Sequence, residues 1–175
     1  MALDLYLELE QTSATGHEYV GGYRHEVQAE SNRHNRVALN IAIHLSNLAE
    51  SLPCHVYQTG TKLCAGESLF YYPDVMVVCG RDEPDPYFET EPCVLVEVLS
   101  PSTRSTDLRE KLNAYKSLPS VQTYLIVETE RLVVRHISRS ADGRWHQEDL
   151  TGDGDIPLPC LNGTLSLPQI YRGIF

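Results

Sequence analysis

The segment CVLVEVLSPST, residues 93–103, constrains this chain more than any other. Val94, Leu95, Val96, Val98 and Leu99 make a continuous apolar run, the pattern of a strand buried on both faces. Glu97 stands in the middle of it. An ionised carboxylate there costs on the order of several kcal/mol unless a partner compensates it. The segment LFYYPDVMVVCG, residues 69–80, repeats the anomaly, with Asp74 directly before Val75–Val78. A single buried acid is readily satisfied by a backbone donor or an arginine. Two acids in consecutive core strands are another matter. Neighbouring strands lie about 4.8 Å apart, so both carboxylates can converge on one point, where a hard divalent cation would offset their charge.

The remaining pattern is mixed α and β. EYVGGYRHEVQAE reads as a hairpin turning at Gly21 and Gly22. From Arg33 to Leu52, Val37, Ile41, Leu45, Leu48 and Leu52 recur at helical spacing, with Ser31 or Asn32 as cap and Pro53 as stop. Strand-like runs follow at 55–64, 69–79 and 93–100, the last two separated by an acidic, proline-bearing loop. DLREKLNAYKSLPS then predicts a short helix. Asp107 and Glu110 stand at capping-box spacing, Leu108, Leu112 and Tyr115 make an apolar stripe, and Pro119 closes it. VQTYLIVE and RLVVRHISR read as two more strands. The order helix, three strands, helix, strand predicts an α/β fold with one central mixed sheet flanked by helices, in a single domain over residues 1–175.

Asp107, Lys111 and Tyr115 are four apart and share one side of the second helix. Lys111 is at the edge of the apolar stripe, so a helix packed on the sheet through Leu108 and Leu112 aims it along the sheet surface toward the two acids. The plainer reading is an Asp107–Lys111 surface pair, worth about 0.3–0.5 kcal/mol.

The chain has 175 residues, 42% of them hydrophobic, and a net charge of −10. That balance argues against tight nonspecific binding to nucleic acid, though not against a local basic groove. The five cysteines include no C-x-x-C pair, which makes a zinc site unexpected; buried free thiols in a reducing cytoplasm are expected instead. The N-terminus carries acids where a signal peptide has bases, and no run reaches membrane-spanning length, so a cytoplasmic protein without a membrane partner is expected. Asp153 and Asp155 lack the further ligands of a calcium loop.

YPDVMVV, VEVLSPST, DLREKLNAY and the following YLIV, with RHNRVALNIAIHL before them, resemble the Uma-two family of restriction-endonuclease-like proteins in the PD-(D/E)XK nuclease superfamily. The resemblance runs from about Glu18 to Tyr171. It implies an αβββαβ restriction-endonuclease-like core with extra N- and C-terminal β segments, and a metal-dependent endonuclease acting on DNA. It implies that Asp74 and Glu97, with the carbonyl of Val98, bind Mg²⁺ or Mn²⁺. The superfamily usually carries lysine two positions after the second acid, where this chain has Leu99. The family resemblance moves that lysine to Lys111. Softer matches are His34, Lys62 and Arg104 as contacts to nucleic acid, and Glu30 as an acid for a second metal. Cutting both strands of a duplex needs two such sites, so a homodimer is expected, with Tyr71, Tyr72 or Tyr87 as exposed aromatics for its interface. The alternative is a catalytically inactive nuclease-fold protein that binds nucleic acid or a protein partner. A carboxylate-pair glycosidase ranks last, because the lone Trp145 is far from the acids.

Overall fold

The computed structural model describes residues 1–80, 85–99 and 107–175. In chain order the elements are α1 (Leu3–Thr12), β1 (His17–Val20), β2 (Tyr23–Glu26), α2 (Asn32–Ala49), β3 (Cys54–Gln58), β4 (Lys62–Gly66), β5 (Leu69–Tyr71), β6 (Val75–Cys79), β7 (Phe88–Glu89), β8 (Pro92–Leu99), α3 (Asp107–Ser117), β9 (Thr123–Glu128), β10 (Val133–Arg139), β11 (Trp145–Thr151), β12 (Asp155–Leu158), β13 (Gly163–Ser166) and α4 (Leu167–Ile170).

A six-stranded sheet in the order β11-β10-β9-β8-β6-β3 is the centre of the molecule. Its β8 and β9 run parallel and its other pairs antiparallel. The parallel pair needs a crossover, which the chain makes through α3. The strands alternate between two apolar faces. Val75, Val77, Val94 and Val96 pack with Val37, Ile41 and Leu45 of α2. Met76, Leu95, Leu99, Tyr124 and Ile126 pack on the other face with Ala114 and Tyr115 of α3. Val37, Ile41 and Leu45 are fully buried, and each such side chain contributes roughly 1.5–3 kcal/mol of transfer free energy. This is the αβββαβ core with additional β segments at both ends.

Two expected strands are each divided. The run 69–79 breaks at Pro73, which has no amide hydrogen for a central ladder. Its first part, β5, enters a second sheet ordered β2-β1-β5-β4-β7, and its second part, β6, enters the main sheet. The run 55–64 breaks at Thr59 and Gly60, both at positive φ, giving β3 and β4. The first expected helix ends at Ala49 rather than Leu52, and Ser31 is its cap, accepting the His34 N–H. The hairpin is as expected, β1 against β2 with Gly21 and Gly22 at positive φ. The helix α1 was not expected. It buries Tyr6 against Tyr19 and Phe70, fastening the second sheet.

Four of the cysteines are not free thiols. Cys54 is bonded to Cys79 and Cys93 to Cys160, while Cys64 is free. The fold supplies the pairing: Cys54 and Cys79 are opposite each other on neighbouring strands, although 25 residues separate them in sequence.

Candidate active site

The antiparallel register of β6 and β8 pairs Val75 with Val96. One step further along that register, Asp74 is opposite Glu97. Alternation puts Glu97 on the face of Leu95 and Leu99, and Asp74 on that of Met76, so both acids belong to the α3 side of the sheet. The Asp74 carboxylate accepts the Val98 N–H at 2.7 Å. Its same oxygen meets Nε2 of His34 at 3.2 Å. Glu97 accepts the Tyr115 hydroxyl at 2.7 Å, and Lys111 Nζ donates to its other oxygen at 3.3 Å. The helix spacing makes this pincer possible: Lys111 and Tyr115 are one turn apart on α3 and hold the two oxygens of one carboxylate. Lys111 also pairs with Glu18 of β1 at 2.8 Å. Tyr71 stands beneath it, 5.7 Å from the ammonium, with its own hydroxyl on Glu110.

All of these groups except the fully buried Tyr115 line a cleft of about 750 Å³ between the N-terminal hairpin, the start of α2 and the ends of β6 and β8. Asp74, Glu97, Val98, Lys111, His34 and Glu30 all line it. Lys62 does not belong with them. It is buried on β4 in the second sheet, with Glu10 and Asp85 as its charged neighbours, and burial pushes its ammonium below the usual lysine range. Lys62 is therefore not among the residues that line the cleft. Arg104 lies outside the described residues, as does the Asp107 side chain. Tyr71 is no interface aromatic, being 1% exposed inside the site, whereas Tyr87 is 57% exposed.

The model of the Uma2 family, described as "Putative restriction endonuclease", matches residues 3–168. This chain belongs to that family. Two Synechocystis relatives, the uncharacterized proteins slr1290 and sll1609, are 28% and 27% identical to it over 171 and 154 residues. The alignments cover 97% and 85% of this chain and 90% and 86% of those proteins. The fold is shared with a crystal structure from Anabaena variabilis, titled a putative nuclease belonging to DUF820, at a TM-score of 0.81 and 16% identity. That match covers 100% of this chain and 99% of the other.

The cleft of this Uma2 chain is strongly acidic. Glu18, Glu26, Glu30, Asp74, Glu97 and Glu110 line it, against Lys111 and the titratable His25 and His34 among the described residues. Burial pushes the Glu97 carboxyl up to about 8; Lys111 opposes this, and the charges of Asp74 and Glu18 add to it. Burial disfavours the charged form of His34, but the bond to Asp74 and the charges of Asp74 and Glu30 outweigh that and raise its pKa. Tyr115 is held far above the usual phenol range by burial and by Glu97, so it stays a donor. Glu18, Asp74 and Glu97 gather three carboxyl groups at one end of the cleft, and burial with the neighbouring acids favours the protonated form of Glu97. A hard divalent cation would favour its ionised form instead, and oxygen donors on adjacent strands fit such an ion.

Glu18 and Tyr115 also contact the site residues. Tyr115 had a legible signal, its spacing from Lys111. Glu18 had none in local sequence, because it enters from a hairpin that only the tertiary fold brings to α3.

Proposed function

We propose that this chain is a metal-dependent endonuclease that hydrolyses DNA phosphodiester bonds, working as a homodimer of one nuclease domain spanning residues 1–175. The observation that carries the reading is the contact of Lys111 with Glu97 beside Asp74: a helix lysine stands at the strand acids although the usual strand position holds Leu99. The donor set of Asp74, Glu97 and the Val98 carbonyl would hold Mg²⁺ or Mn²⁺, which lowers the pKa of water and polarises the phosphoryl oxygen when bound.

The chain's own groups have separate tasks. Lys111 supplies a positive charge and donors at the point where the attacking water and the developing phosphorane charge would be. Glu18 and Glu97 hold it there at 2.8 and 3.3 Å. Tyr115 fixes the Glu97 carboxylate, and His34 with the Val98 amide fixes that of Asp74. Glu30 remains a candidate for a second metal. Arg104, on the connection from the Glu97 strand to the Lys111 helix, is proposed as a contact to backbone phosphate.

Incubating the protein with duplex and single-stranded DNA plus Mg²⁺ or Mn²⁺ tests the reading. Cleavage that chelator stops and Asp74→Ala lacks is expected. No cleavage of any substrate with either metal would favour the inactive alternative, for which the acidic cleft suits a basic protein partner better than nucleic acid. Light scattering at micromolar concentration should give a dimer; a monomer with and without DNA would contradict that part.

A further inference from the structure

The second cluster of metal-binding side chains is at the opposite end of the same strands. Asp74 precedes β6 and Cys79 ends it; Glu97 is near the end of β8 and Cys93 near its start. At about 3.3 Å per residue the two clusters are roughly 13–16 Å apart along the strands. Cys54 comes from the start of β3 and Cys160 from a 3₁₀ turn, Pro159–Leu161. Four separate segments therefore bring one sulfur each to one place.

The strand pairing explains how. Cys79 shares the α2 face with Val75 and Val77, and Cys54 is directly across from it. Cys93 would point to the other face from Val94 in a regular strand. Instead Val77 pairs with Val94 while Val78 pairs with Pro92, so Cys93 is the extra residue of a β-bulge. The bulge turns it to the α2 side together with Val94. Its sulfur is 3.6 Å from that of Cys79. The sulfurs of Cys79, Cys93 and Cys160 all lie within 4.8 Å of one another, and Cys54 is bonded to Cys79. In a tetrahedral zinc tetrathiolate, with Zn–S about 2.3 Å, sulfurs are about 3.8 Å apart. Two unrelated disulfide staples would not need their sulfurs this close, nor a bulge to bring the second pair to the first.

We propose that Cys54, Cys79, Cys93 and Cys160 form a redox-gated soft-metal site that binds one Zn²⁺ as a tetrathiolate when reduced. Reduction by two equivalents of a dithiol breaks both S–S bonds, giving four thiols and two oxidised dithiols. Binding Zn²⁺ then releases the four thiol protons. Two equivalents of an oxidised dithiol re-form both disulfides by thiol–disulfide exchange, take up four protons, leave as two reduced dithiols and expel the ion. The soft sulfur donors prefer Zn²⁺ over the Mg²⁺ suited to the carboxylate end. Zinc would tie the Cys160 turn to three strands of the main sheet, whereas in the oxidised chain its disulfide ties it to β8 alone.

The test is anaerobic titration of the dithiol-reduced, desalted protein with Co²⁺ and then Zn²⁺. One equivalent of Co²⁺ should produce the intense visible bands of tetrahedral cobalt thiolate, which Zn²⁺ abolishes. Cys160→Ser and Cys93→Ser should weaken binding by about 100-fold or more, since even outer-shell partners are worth 10–100-fold. Cys64→Ser and Asp74→Ala should bind as the wild type. The oxidised protein should bind no Co²⁺ with these bands. Absence of the bands in the fully reduced, folded wild type would overturn the proposal and leave two disulfide staples. So would bands that persist at full strength in both Cys160→Ser and Cys93→Ser. If one serine variant does not fold by circular dichroism, the other decides, and release of protons on Zn²⁺ addition to the wild type gives an independent readout.

Discussion

The two ends of the β6–β8 pair make an instructive contrast. Both collect side chains able to bind a metal from segments far apart in sequence, one through regular strand register and the other through a break in it. At one end Pro73 stops the ladder and the Asp74 carboxylate takes the Val98 amide. At the other a bulge turns Cys93 toward Cys79. The donor chemistry then separates them. The carboxylate end is crowded with acids, so without a cation Glu97 is held toward its protonated form. The sulfur end neutralises itself by forming covalent bonds. The first is suited to chemistry and the second to fastening.

The largest expected effect is at the carboxylate end. Asp74→Ala should reduce DNA cleavage by about 10³-fold or more, because on the proposed reading it removes a ligand of the ion that would supply most of the charge stabilisation. The same variant in the absence of metal should lose little stability, which unfolding in urea would check. The corresponding change at the sulfur end should do the reverse. Cys160→Ser in the oxidised protein opens a link spanning 67 residues, worth about 4 kcal/mol in the chain-entropy model. Cleavage by the folded variant should be unchanged. A large loss of cleavage there would end the separation of roles.

A pH-dependent effect follows from Glu97. Its folded pKa of about 8 is above the ordinary value of 4.5. The folded state therefore holds a proton that the unfolded state loses, so this contribution to stability is full below about pH 4.5 and is lost as pH rises toward 8. The metal-free protein should lose up to about 5 kcal/mol over that window, at about 1.4 kcal/mol per pKa unit. Saturating Mg²⁺ should flatten the slope, and Glu97→Gln should remove it. A slope of equal size in Glu97→Gln would show that another group carries it. The smallest effect is at Tyr115. Phenylalanine there keeps the ring packing but removes one bond to Glu97, which should cost about 1 kcal/mol and slow cleavage several-fold.

Much of the core was legible because burial leaves a period in the sequence. The apolar runs around Asp74 and Glu97 marked β6 and β8, and the helical spacing of Val37, Ile41 and Leu45 marked α2. The acids stood out only against that apolar background, and the family resemblance extended the reading to Lys111. What was missed is non-local. A break at Pro73 looks like the middle of a strand until two sheets compete for its halves. Glu18 is an ordinary hairpin acid until β1 is laid beside α3. Lys62, adjacent to the acid strand in sequence, is carried into the second sheet by the turn at Thr59 and Gly60. The cysteine pairing depends on a bulge that side-chain alternation cannot reveal.

Whether Lys111 acts on the reacting phosphate is the centre of the account, and single-turnover cleavage of DNA at saturating Mn²⁺ tests it most directly. Lys111→Ala should cleave about 10²–10³-fold more slowly than the wild type. Its Mn²⁺ affinity, measured by calorimetry on the same sample, should stay within a few-fold, because the ligand oxygens of Asp74 and Glu97 remain. Equal single-turnover rates for the variant and the wild type would contradict the assignment of the lysine and with it the proposed mechanism.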